Sequence, residues 1–320
     1  MKFLKPIFIT TLFCLIALGN FFILPDAEAY TLPGPMVSTQ WLSQNLNNVV
    51  LLDVRRVEKD TPTPNKDSFI PGAVLVDFAK VTRVINLDGK QLKAMALDRK
   101  SFANLMSQTG VKNSDIIIIT SPGRHLFELT AVTRLYWTIK YFSHNAVAIL
   151  IGGNALWHSE NRPLQNREKS VKKTTYQTKK ANSEILANLK DVTTALQQKR
   201  QILDVRGLEY YEGEKVNKAF VSAKNRGHIP GALSLPIQSL SRQKRSAIWF
   251  QTMDEIVEIA DMMDIDLNSP TILYCDSGNY ASLEWFILHE LLGNKKAQLY
   301  DGSMHQWSIF DKPIKQGEEP

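Results

Sequence analysis

Cysteine is nearly missing from this chain, at two of 320 residues, and Cys14 lies in an apolar stretch near the N-terminus. The scarcity excludes a disulfide-built scaffold and any cysteine-ligated zinc site. Six histidines stand at no ligand spacing, so a metal site is not expected. An acidic excess is also lacking. The net charge is +6, and much of it lies in one segment, residues 167–180 (REKSVKKTTYQTKK). That segment reads as a solvated basic linker rather than an anion-binding surface. Nothing else points to nucleic acid.

The N-terminus carries Lys2 and Lys5, an apolar run over 7–24, and then Ala27, Glu28 and Ala29. This is the pattern of an export signal, with cleavage expected after Ala29 and a periplasmic or secreted product that keeps no stable membrane insertion. The competing reading is a retained anchor, because residues 6–24 almost suffice to span a bilayer. Phe13, directly before Cys14, is too large for a lipoprotein site. Cleavage leaves Cys275 as the one cysteine, an unpaired thiol in an oxidising compartment.

What is present is organised around residues 271–293, TILYCDSGNYASLEWFILHELLG. Apolar residues run into Cys275, small and polar residues follow, and a helical pattern of Leu283, Phe286, Ile287 and Leu291 ends at Gly293. A cysteine between a buried strand and the start of a helix faces converging backbone N–H groups, which favour the thiolate. The structural alternative is a buried inert cysteine.

The chain also repeats itself. Asp53-Val54-Arg55 returns as Asp204-Val205-Arg206, and Ile70-Pro71-Gly72-Ala73 as Ile229-Pro230-Gly231-Ala232. The strand over 116–119, followed by Thr120-Ser121-Pro122-Gly123, matches the strand over 272–274, followed by Cys275-Asp276-Ser277-Gly278. Trp137 and Trp285 mark the next helices, and Trp157 and Trp307 close the two halves. Apolar strands without strict alternation, separated by helical stretches, predict an α/β protein with a mainly parallel sheet, helices on both faces, built twice. Helices are expected over 101–108, 129–142, 183–190, 253–263 and 281–292. The expected division is a signal over 1–29, a first domain over 30–160, a linker over 161–183 and a second domain over 184–320.

Arg206, two residues beyond Asp204, faces the same side of its strand. It either meets what Cys275 carries or pairs with Asp204 to hold loops. His228 reads as structural, part of a turn into an edge strand.

The DVR strand ends, the HIPGA turn, the cysteine loop before a helix and the closing YDGSMHQW resemble the tandem rhodanese family of sulfurtransferases. The resemblance implies two rhodanese-like domains, a non-catalytic first one with Thr120 at the cysteine position, and a catalytic second one. It implies sulfane sulfur passing from a donor such as thiosulfate or 3-mercaptopyruvate, through a Cys275 persulfide, to cyanide or a thiol, with a protein thiol as a candidate acceptor. Arg206, Asp276, Ser277, Gly278, Asn279 and Tyr280 are then the substrate-binding residues, without cofactor or metal.

Two departures bear on the donor. Family members that use thiosulfate commonly carry a basic residue in this loop, where Asp276 stands; an inward Asp276 repels a sulfonate and raises the thiol pKa. Tyr210 and Tyr211 stand where mercaptopyruvate-type members have a second arginine and an aromatic, leaving Arg206 and Arg226 for anions. A related fold makes phosphatases, but Ala281 occupies the place of their phosphate-clamping arginine. The remaining alternative is a sulfur-carrier or protein-binding module without turnover.

Overall fold

The computed structural model describes residues 31–57, 69–244 and 246–320. The leader and its cleavage site lie outside the described residues.

In the first half, strands β1 (Met36–Val37), β2 (Val50–Arg55) and β3 (Val74–Asp77) precede a hairpin of β4 (Thr82–Leu87) and β5 (Lys90–Ala96); β6 (Ile117–Thr120) and β7 (Val147–Leu150) follow. In the second half, β8 (Leu186–Ala187), β9 (Gln201–Asp204) and β10 (Leu233–Ser234) precede a hairpin of β11 (Ser241–Lys244) and β12 (Ala247–Phe250); β13 (Thr271–Tyr274) and β14 (Gln298–Tyr300) follow. The first sheet has the order β1-β7-β6-β2-β3 and the second β10-β9-β13-β14-β8. All pairs in both are parallel, as expected for two rhodanese-like domains in tandem.

Both faces of each sheet are covered, and this explains the continuous apolar runs. In the first sheet Leu52, Val54, Ile117 and Ile119 face one core, while Leu51, Ile118 and Ala148 face another. In the second, Leu203, Leu273 and Leu299 join the core of Leu52, whereas Ile202, Ile272 and Tyr300 face away from it. The two halves therefore share one apolar interior, built largely from two helices that follow β6 and β13.

The helices are α1 (Thr39–Asn45), α2 (Arg99–Gln108), α3 (Leu126–Tyr141), α4 (Gly153–Ser159), α5 (Leu189–Gln197), α6 (Leu208–Tyr211), α7 (Met253–Met262), α8 (Asn279–Trp285) and α9 (Ser303–Ile309). The wider π form continues α8 over Phe286–Leu291. Side chains set the starts. Asp98 accepts from Ser101 N–H ahead of α2, and Thr252 forms a reciprocal cap with Glu255 ahead of α7.

Two expectations are corrected. The helix expected over 183–190 is instead a 3-10 turn, Ser183–Ile185, and strand β8, which pairs with β14 at Leu299 and Tyr300. The helix begins only at Leu189, because Asn188 caps Lys190 and Asp191 while Asp191 caps back. Nor is the basic segment a fully solvated linker. Its lysines are exposed, but Thr174 Oγ1 donates to Val111 O at 2.5 Å, and buried Tyr176 packs edge-on against Phe102. Peptide and ring contacts strap it along α2.

Side chains of α3 and α8 join the halves. Thr133 and Ser282 hydroxyls lie 3.1 Å apart, Tyr136 donates to Glu290 at 2.8 Å, and the Tyr136 and Phe286 rings meet edge to face. Each hairpin reaches across to the other half. Ala96 N–H donates to Asp301 at 2.6 Å and Lys93 N–H to His305 Nε2 at 3.0 Å, while Ile248 N–H donates to Gly123 O at 2.9 Å.

Glu284 on α8 is fully buried, and neither carboxyl oxygen has a hydrogen-bond partner. Burial first, then the Asp204 charge, push its pKa well above the usual carboxylate value. The folded state thus holds a proton that the unfolded chain loses, so Glu284 costs stability as pH rises above the unfolded pKa. Glu284→Met is expected to raise the urea midpoint at pH 7 and to reduce its decline between pH 5 and 7; a lower midpoint at both pH values contradicts this.

Candidate active site

Cys275 follows β13, with its side chain on the shared-core side and 3% exposed. Its backbone is pinned from two directions. Ser303 Oγ accepts from Cys275 N–H at 3.2 Å, and Cys275 O accepts from Met304 N–H at 3.0 Å. Gly278 then turns the chain into α8 at φ +78°, where a Cβ would stand 3.0 Å from Asp301 O and from Arg134 Nη1. Only glycine fits this left-handed, crowded position.

The loop brings amides to sulfur: Ser277 N–H donates to Sγ at 3.4 Å, and the Tyr280 and Ala281 amides also stabilise the thiolate. The lowered thiol pKa expected from the loop is nevertheless not what the structure gives. Burial, followed by the Asp276 carboxylate, pushes the Cys275 thiol up, and the three amides offset this only in part.

The duplicated strand end settles the arginine. Arg206, 3% exposed, donates from Nε to Asp204 Oδ1 at 2.9 Å, from Nη2 to Asp204 Oδ2 at 2.6 Å and to Gly227 O at 2.8 Å, and from Nη1 to Asp276 at 3.2 Å. Burial alone would lower its pKa, but Asp204 and then Asp276 hold it raised. Two carboxylates thus pair with the Arg206 guanidinium. Asn217 donates to the other Asp276 oxygen at 3.1 Å, and burial raises the Asp276 pKa against the pull of Arg206.

Cys275, Asp276, Ser277, Asn279, Tyr280 and Arg206 all border one cavity of about 390 Å³. Gly278 lies beneath the loop and does not line it. Arg226 is exposed and donates to Ala223 O, so it is not brought to the cavity. His228 is fully buried, stacked on Tyr211 at 3.7 Å, with Nδ1 2.8 Å from Tyr211 O. It is a packing residue. Tyr210 lines the cavity, whereas Tyr211 donates to Ala232 O.

The first half reproduces this architecture without the thiol. Asp53 pairs with buried Arg55, and Trp157 donates to Pro163 O as Trp307 does to Pro313 O. One position is corrected. Asp53 lies opposite Thr120 as Asp204 lies opposite Tyr274, and Asn154 N–H donates to Ser121 O as Met304 N–H does to Cys275 O. Ser121, not Thr120, occupies the cysteine position; alignment on Gly123 and Gly278 misplaces it, because Ser121 and Gly123 are one residue closer than Cys275 and Gly278.

The rhodanese-like domain family matches residues 188–309. A Saccharopolyspora erythraea protein provisionally named a thiosulfate sulfurtransferase is 29% identical over 89% of this chain and 97% of its own. The crystal structure of SseA from Escherichia coli, a 3-mercaptopyruvate sulfotransferase of "rhodanese" fold, superposes with TM-score 0.68 at 26% identity over 84% of this chain and 98% of its own. Residues 188–309 form a rhodanese-like domain. The yeast Tum1 protein of Saccharomyces cerevisiae, at 18% identity and TM-score 0.73 over 90% of this chain and 99% of its own, shares the fold.

Sequence reasoning missed Arg56 and Phe127, which the first half contributes to the Cys275 cavity. Arg56 carries a parity signal, since alternation along β2 sends it to the side opposite Arg55; which body lies on that side is fixed only by docking. Because Asp276 raises the Cys275 pKa, Asp276→Asn is expected to move the alkaline rise of iodoacetamide alkylation to lower pH, with several-fold faster reaction at pH 7. An unmoved profile contradicts the assigned cause.

Proposed function

We propose that the protein is a sulfurtransferase of thiosulfate or 3-mercaptopyruvate type, with Cys275 as the sulfur-carrying nucleophile. The observation that carries this reading is the thiol at the base of an accessible cavity, beneath amides of Ser277, Tyr280 and Ala281 that stabilise negative sulfur.

Cys275 first loses its proton to solvent. The thiolate attacks the outer sulfur of a donor; with thiosulfate, the S–S bond breaks, sulfite departs with the bonding pair, and the enzyme is left as a persulfide anion. With 3-mercaptopyruvate the C–S bond breaks, and the resulting enolate takes the persulfide proton to give pyruvate. A cyanide ion or thiolate then attacks the terminal sulfur and releases the Cys275 thiolate. The same amides serve both anions, because the charge moves by one sulfur only. Ser121 in the first half has a hydroxyl that cannot store sulfane sulfur, so the first domain is assigned a non-catalytic role.

Asp276 and the neutralised Arg206 disfavour a dianion directly at the thiol, and this supports a donor with its charge farther from the transferred sulfur. Thiosulfate kcat/KM is expected to fall well below that for 3-mercaptopyruvate. Steady-state rates with each donor and cyanide test the reading; absence of Cys275-dependent turnover from both, in folded protein, supports a carrier module instead. Export is proposed from the leader pattern alone, and an N-terminal sequence beginning at Tyr30 in protein recovered outside the cytoplasm would support it.

A further inference from the structure

The first domain supplies a charge that the catalytic loop lacks. Arg56 follows β2, is exposed, and lies with its guanidinium 4.7 Å from the centre of the Phe127 ring. Both side chains line the Cys275 cavity. The cavity's other cation, Arg206, is engaged by Asp204 and Asp276. Among the described residues no carboxylate pairs with Arg56. The guanidinium rests over this ring and stays exposed, an arrangement suited to a carboxylate.

The charges are therefore separated: Asp276 stands beside the thiol, Glu209 borders the cavity with Lys215 3.5 Å away, and Arg56, unpaired among the described residues, lies on the wall contributed by the other domain. We infer that Arg56 is a specificity-determining residue of the Cys275 cavity, anchoring sulfur compounds whose carboxylate or sulfonate is set off from the reacting sulfur by carbon atoms. This rests on the proposed sulfur transfer for its biological meaning, but not for its geometry. A compound such as 3-mercaptopyruvate places sulfur at Cys275 while its carboxylate meets Arg56. Thiosulfate has no spacer, so its sulfonate sits against Asp276 and gains little from Arg56.

The test uses the full chain, as wild type, Arg56→Gln and Arg56→Lys, with two readouts. The first is the alkylation rate of Cys275 by anionic iodoacetate divided by that by neutral iodoacetamide, which is independent of sulfur transfer. Arg56→Gln is expected to lower this ratio roughly five-fold at low salt, Arg56→Lys to restore much of it, and added salt to narrow the difference. The second is kinetics: Arg56→Gln raises KM for 3-mercaptopyruvate roughly five- to ten-fold, with kcat nearly kept and thiosulfate constants little changed. An unchanged alkylation ratio overturns the inference, even if the wild type turns over. A thiol refractory to both reagents also overturns it, since the cavity then does not admit small anions to Cys275. A lowered ratio without turnover by any variant upholds Arg56 as an anion anchor and removes the sulfurtransferase reading.

Discussion

Cys275→Ser abolishes donor-dependent thiocyanate formation, by roughly 10³-fold or more, while the urea midpoint stays close to wild type. The magnitude follows from the chemistry. A serine hydroxyl cannot form the persulfide, and no second thiol in the described residues could take its place, Cys275 being the one free cysteine there. The small stability change follows from volume and position. Sγ faces the N–H groups of Ser277, Tyr280 and Ala281, which an oxygen can also accept, and the residue borders a cavity, so neither overpacking nor an orphaned donor results. Thiocyanate formation measured beside urea denaturation separates the two effects. Residual turnover of more than a few per cent contradicts the assigned nucleophile.

Asp301→Ala is expected to destabilise the protein by about 3–5 kcal/mol. Asp301 accepts from Arg134 Nη2 at 2.5 Å with one oxygen and from Ala96 N–H at 2.6 Å with the other. Arg134 is completely buried, and its Nε and Nη1 already lack partners. Removal of the carboxylate leaves a buried guanidinium with only Ala94 O, at 3.2 Å. The same change loosens the platform beside Gly278, where a Cβ would meet Asp301 O at 3.0 Å. Activity therefore falls at temperatures where the variant is still folded. The control is Arg134→Met with Asp301→Ala, which removes the stranded charge and is expected to recover a substantial part of the loss. A double variant no more stable than Asp301→Ala alone would show that the charge pair is not the cause.

The strands, their parallel arrangement and the duplication were legible because the central strands are buried on both faces and β2 and β9 lead into the same Asp-x-Arg. The thiol loop was legible because a short strand, a small-residue turn and a helix pattern are all local. What connects the halves was not. The β4–β5 hairpin has few core side chains, Leu92 being fully buried, and serves mainly through backbone groups such as Ala96 N–H and Lys93 N–H. Its turn did leave a trace, Asp88-Gly89 with φ of 50° and 76°, the residue pair that a two-residue hairpin favours.

The pairing of Arg206 with Asp204 was one of two readings open in the sequence. Two carboxylates on one guanidinium decide for the structural role, although Arg206 also borders the cavity. Arg56 escaped notice for the opposite reason. Nothing near it in sequence is unusual, and its significance comes from a cavity assembled by residues from Phe127 to Tyr280.

The most direct measurement is intact-protein mass spectrometry after brief incubation with 3-mercaptopyruvate or thiosulfate, followed by removal of the donor. Sulfur transfer through Cys275 predicts a gain of one sulfur atom, located on the Cys275 peptide, absent from Cys275→Ser and discharged by cyanide. An unchanged mass with both donors, from protein whose Cys275 alkylates normally, contradicts a persulfide at this site.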